Sequence, residues 1–145
     1  AEALMIDPIT KDLYILSKRE SLVSIYRLPF PQSTSKVIEA EKVGIFEVSP
    51  EKPYRRSDQI TAADISPDGK RIIIKTYYEI IMINNFDNNI SSALSSKQIK
   101  LDYTPVRGGE AICWRWDQSG YYTISEQTRD FPVHLYFYPF LSENY

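Results

Sequence analysis

Residues 60–76 read ITAADISPDGKRIIIKT, and the reading of this stretch decides the fold. A short apolar segment, 62–65, runs into Ser66-Pro67-Asp68-Gly69, and a second, 72–74, comes out of it. Pro67 presets φ at one turn position, and Gly69 supplies the positive φ that a tight reversal needs. Apolar β-branched runs on both sides of such a turn predict a β-hairpin.

The hairpin recurs twice. Glu2-Ala3-Leu4-Met5-Ile6 falls on Glu110-Ala111-Ile112-Cys113-Trp114 at one constant shift, which also sets residues 12–18 on 120–126. Thr61 occupies the same place in the middle copy. The chain therefore divides into three units, about 1–50, 58–105 and 108–145. Strands are predicted at 3–6, 13–16, 23–28 and 37–48 (the last broken near Gly44), then at 62–65, 72–76, 80–83 and 98–103. The third unit offers strands at 111–114, 121–125 and 133–138 and lacks a fourth; a polar connection, 84–96, carries a helical turn near 92–95.

Ile72-Ile73-Ile74 and Ile80-Ile81-Met82-Ile83 are continuously apolar, the pattern of strands covered on both faces. Sheets built from such strands need neighbours on each side. A β-propeller supplies them by stacking four-stranded blades around an axis, at about 40–50 residues per blade. A β-sandwich also uses short strands and turns, but it does not require one motif at matched positions three times. The expected fold is all-β: three four-stranded antiparallel blades, the last incomplete, forming half of a six-bladed propeller. Terminal repeats of an open array need polar caps, and no cap is evident. The expected partner is thus a second copy of the chain or the remaining half of the same propeller, joined through a large apolar interface. With its start at Ala1, the chain reads as processed or cut, which favours the second of these.

A chain of 145 residues, 43% apolar and 25% charged, suits one soluble domain with a real core. The net charge of −2 lacks the clustered Lys and Arg of a nucleic-acid partner, and no apolar run approaches the roughly 20 residues that cross a bilayer. Neither nucleic acid nor a membrane span is expected. Cys113 is the sole cysteine, so no intrachain disulfide can form; between Ile112 and Trp114 it reads as a small buried hydrophobe. Trp114 and Trp116 read as neighbours on one strand face packed between blades, and His134 as a packed or edge residue, since one histidine builds no usual zinc site. There is no G-x-S-x-G elbow, H-E-x-x-H pair or phosphate-cradling glycine loop.

Residues 63–72, ADISPDGKRI, resemble the blade motif of TolB-like (WD40-like) propeller repeats. The Glu-Ala-Leu and Glu-Ala-Ile openings at 2–4 and 110–112 resemble bacterial propeller proteins of uncharacterised function, some distantly similar to the esterase-like phytase domain. Such a motif marks a blade and not an activity. A periplasmic or extracellular setting is expected over a cytoplasmic one.

Within that architecture Glu2, Asp64 and Glu110 form the candidate site, as acids at innermost strands near the axis. They could hold Ca²⁺ through oxygen ligands, raise one another's pKa, or accept bonds from loop N–H groups. Lys18, Arg19, Glu126 and Arg129 follow the second strands and form a candidate loop rim. The expected function is a binding or interaction module that engages a ligand or partner at the channel mouth, with no cofactor unless Ca²⁺. The alternative is a metal-dependent phosphoester or ester hydrolase with the three acids holding the metal.

Overall fold

A computed structural model describes residues 2–18, 21–48, 50, 53–127 and 132–140. Strands β1 (Ala3–Ile6), β2 (Leu13–Leu16), β3 (Leu22–Leu28) and β4 (Glu41–Glu47) make the first antiparallel sheet in sequential order. The second contains β5 (Ile60–Ile65), β6 (Arg71–Thr76), β7 (Ile80–Asn84) and β8 (Ile99–Leu101) in the same order, with the one-turn helix α1 (Ile90–Ala93) between its last two strands. The third holds β9 (Gly109–Trp114), β10 (Gly120–Ser125) and β11 (Leu135–Pro139), three strands among the described residues. The chain is all-β, and none of the three sheets is closed on itself. Among the described residues no helix is long and apolar enough to cross a membrane.

The organising hairpin forms as its residues dictate. β5 and β6 pair with Ile65 opposite Ile72. Gly69 takes φ +75° and donates its N–H to the Ser66 carbonyl at 2.8 Å. The Asp68 carboxylate accepts from the Ser66 hydroxyl at 2.6 Å and from the Lys70 N–H at 3.0 Å, so short polar side chains replace the bonds the turn gives up. A Cβ on Gly69 would come within 2.9 Å of the Ile9 side chain, so the turn also packs against the first sheet.

The continuously apolar strands serve two cores. Ile72, Ile74, Ile81 and Ile83 join Met5, Leu16, Ile25 and Phe46 in the core between the first and second sheets. Ile73, Ile80 and Met82, on the opposite face of the same strands, join Ile112, Trp114 and Tyr121 in the core between the second and third. Alternate residues of an extended strand point to opposite faces, so an unbroken isoleucine run fits only a sheet covered twice. β5 meanwhile packs against β1 on one side and β9 on the other.

Among the described residues the flanking sheets are covered once. Leu4, Ile6 and Leu22 stay exposed on the first, and Ile124, Leu135 and Phe137 on the third. Two expectations are corrected on the third sheet. Cys113 is exposed, because it sits on the outward face of β9 between the inward-facing Ile112 and Trp114. Trp116 does not share a strand face with Trp114: β9 ends at Trp114, and Trp116 lies in the following turn, 80% exposed. His134 is exposed just before β11. The expected strand at 37–48 starts later, at Glu41, with Val37 exposed in the loop before it. The break foreseen near Gly44 is a bulge, since Ile25 opposes Gly44 while the next residue, Tyr26, opposes Lys42.

Candidate functional site

The starts of β1 and β9 and the ends of β2 and β6 gather at one edge of the three sheets. Glu2 precedes β1, Lys18 follows β2, Tyr77 follows β6, and Glu110 is the second residue of β9. The Lys18 ammonium lies 3.3 Å from the Glu2 carboxylate and 5.6 Å from the centre of the Tyr77 ring. The Tyr77 hydroxyl donates to Glu110 Oε1 at 2.8 Å. A polar string, Glu2–Lys18–Tyr77–Glu110, thus crosses all three sheets. Repetition builds it: the shift that sets Glu2 on Thr61 also sets Lys18 on Tyr77, and the third copy of that position is Glu126.

The string sets one cation against two carboxylates. Partial burial alone would lower the Lys18 pKa, but Tyr77 and Glu2 outweigh it and raise the pKa above the ordinary lysine value. The Tyr77 phenol is pushed up first by its bond to Glu110 and then by burial, with Lys18 opposing. Lys18 therefore stays a cation and Tyr77 a neutral donor at physiological pH. Beside them Tyr77, Tyr78, Pro105, Val106, Arg107 and Gly108 line a cleft of about 290 Å³, which gives the string an adjacent concave surface carrying a second basic group.

Behind the string sits Lys75, fully buried on the β6 face that meets the third sheet. Its ammonium donates to the Thr76 carbonyl at 2.8 Å and to the Gly109 carbonyl, and lies 4.9 Å from the Tyr103 ring centre. Burial lowers its pKa to about 8, with Glu110 opposing. Gly109 makes room for it, since a Cβ there would lie 2.9 Å from the Tyr103 hydroxyl and 3.1 Å from Lys75 Nζ.

Of the three acids singled out in the sequence, Glu2 and Glu110 are joined through Lys18 and Tyr77. Asp64 is placed elsewhere: it is the fifth residue of β5, opposite Ile73, and accepts from the Trp114 N–H at 2.7 Å, tying β5 to β9. Burial raises its pKa, partly offset by that bond. Among the described residues no three His, Cys, Asp or Glu side chains are grouped to hold a metal ion. Glu126 is exposed and donates its N–H to the Gly108 carbonyl at 2.7 Å, at the same end of the third sheet as Glu110. Arg19 and Arg129 lie outside the described residues.

The larger concavity, about 830 Å³, lies away from this string, where β3 and β4 face the segment joining α1 to β8. Leu22, Ile45, Glu47, Leu94, Lys97 and Lys100 are among its lining, and Lys100 pairs with Glu79 at 3.2 Å. Tyr77 and Lys75 were not singled out in the sequence. The signal for Lys75 was a charge closing a strand of three isoleucines; Tyr77 becomes visible only when the repeat is carried from Lys18.

No protein-family model matches the chain, and no curated protein sequence matches it.

Proposed function

We propose that the three sheets are consecutive blades of a TolB-like β-propeller and that the chain is a binding module. It engages a polar ligand or a partner's polar segment at the edge formed by Glu2, Lys18, Tyr77 and Glu110. The observation that carries this reading is the string itself. A cation, two carboxylates and a phenol from three separate sheets meet at one edge, beside a cleft that holds Arg107. The adjacency of β1, β5 and β9, each the first strand of its sheet, supports the blade reading. Propellers present their strand-end loops around a central channel, and a preformed polar constellation beside a concavity is where a ligand is oriented.

The test is an NMR titration of ¹⁵N-labelled chain with a defined panel of calcium, inorganic phosphate, a dicarboxylate, a disaccharide and a basic peptide. A panel member is expected to shift the amides of Lys18, Tyr77, Tyr78, Arg107 and Glu110, and Lys18→Met is expected to abolish the shifts. Silence of these amides across the panel, or shifts confined to the concavity around Leu94 and Lys100, overturns the reading.

A further inference from the structure

We propose that the exposed face of the first sheet and the exposed face of the third are the two halves of one interface, and that a second copy of this chain occupies both. The inference rests on the blade reading and adds the partner to it.

Repeat position identifies the faces. Leu4 and Ile6 stand where Ala63 and Ile65 stand in the second unit and Ile112 and Trp114 in the third. Those four residues are buried in the cores between sheets, whereas Leu4 and Ile6 are exposed. At the other end, Ala111 and Cys113 stand where Ala3 and Met5 stand in the first unit. Ala3 and Met5 are buried against the second sheet, while Ala111 and Cys113 are exposed. Each end of the stack therefore presents the side that its equivalents hide. The two sides are complementary and not alike: one is the forward side of a repeat and the other its backward side, and the chain joins such sides twice internally.

A head-to-tail contact of this kind closes a ring when its rotation allows, and otherwise grows into a filament. Two copies of three sheets make six, within the range of about four to eight that closed propellers use. Three or four strands about 4.8 Å apart and five residues at about 3.3 Å per residue give a face of roughly 15–20 Å by 16 Å. Four such faces, two per copy, total roughly 1,000–1,200 Å² before side-chain corrugation, near the lower bound of about 1,200 Å² for stable association. The occupants are apolar on both sides: Ile6 and Leu135 are 52% and 65% exposed, and Tyr122 packs on Phe137 at 5.1 Å between ring centres on the free face of the third sheet.

Native mass spectrometry and sedimentation of the chain, with Ile6→Glu and Leu135→Glu, test this. The wild type is expected at twice its 16.8 kDa mass. Each variant weakens self-association by about 100-fold or more, because a carboxylate would be buried at the contact without a partner. An equimolar mixture of the two variants is expected to recover a two-chain species at raised concentration. The intact third-sheet face of one then meets the intact first-sheet face of the other. Both sites are half or more exposed within one chain, so its own cores are undisturbed; near-ultraviolet circular dichroism checks this, and Ile6→Ser with Leu135→Ser must reproduce the pattern. A folded wild-type monomer at all concentrations, a mass that grows past two chains, a dimer that survives either Glu variant, or a mixture that stays monomeric overturns the proposal. A monomer that still shows ligand shifts at Lys18 and Glu110 sinks the interface alone. A dimer with silent edge amides sinks the ligand site alone.

Discussion

Lys75 places a cation where the strand before it supplies three buried isoleucines, and among the described residues no carboxylate is hydrogen-bonded to it. Its bonds are to two carbonyls, so the protonated form is held by dipoles and a ring while burial opposes it. The folded pKa of about 8 lies below the ordinary lysine value of 10.5. Between those values the unfolded chain binds the proton and the folded chain releases it, so the unfolded state carries more protons and stability rises with pH. From pH 7.5 to 9.5 this contributes about 1–3 kcal/mol. Urea unfolding at several pH values should show that rise in the wild type and no rise in Lys75→Met, where the Cys113 thiol, held above its ordinary value of 9.0, lets stability fall slightly across the window. The slope is the test, since the variant also removes both hydrogen bonds from Lys75 and shifts absolute stability. Tyr14 and Tyr103 are pushed above 10 by burial, and Tyr77 by its Glu110 bond and burial, so their opposing effect begins only above this window. An equal slope in both proteins would remove Lys75 as the titrating group.

Each hairpin turn uses a different solution to the same reversal. Gly69 takes φ +75° in the second sheet, and Gln118, its equivalent in the third, takes φ +61°. A side chain in the left-handed region costs about 1–2 kcal/mol, so the two positions should respond to substitution with opposite signs. Gly69→Val adds that cost, a β-branched side chain and a contact with Ile9; it should lose about 2 kcal/mol or more, roughly 5–10 °C in melting temperature. Gln118→Gly relieves the strain and surrenders a 3.2 Å bond from Arg71, so it should hold or gain up to about 1 kcal/mol. A harmless Gly69→Val, or a Gln118→Gly that melts several degrees lower, would contradict the shared turn geometry. The inner hairpins were legible in the sequence because turn chemistry and two-residue alternation act over a few neighbours. The outer strands were less so: β8 keeps three residues of the six expected and β4 starts four residues late, where exposed edges place weak demands on side chains. The edge site was legible only in part. Glu2, Lys18 and Glu110 could be named, but the Tyr77–Glu110 bond spans 33 positions and exists only once sheets pack. Cys113 was misread because a blade covered on both sides was assumed, whereas the third sheet has one covered face among the described residues, and Trp116 because the strand was carried past Trp114, where β9 ends.

At the scale of the whole molecule, the three sheets differ in how many neighbours hold them. The second shares a core with each of the others, and its Ile72, Ile73, Ile74, Ile81 and Ile83 are at most 1% exposed. The first and third each rely on one core. Opening either outer sheet gives up one sheet-on-sheet contact, while opening the second gives up both, so local opening should be graded along the stack. In a dilute monomer, amide hydrogen exchange should therefore be slowest in β6 and β7, with β1 to β3 and β9 to β11 exchanging through lower-energy openings. Association of two copies through the end faces would change this order. Each outer sheet would gain the second neighbour it lacks, and protection in β1, β2, β9 and β10 should rise with protein concentration while β6 and β7 change little. The Ile6→Glu chain should keep the graded order at every concentration. Uniform protection across the three sheets at low concentration would mean that the stack opens as one unit and that the unequal cores do not set its energetics. Protection that stays graded and independent of concentration in the wild type would leave both end faces uncovered in solution.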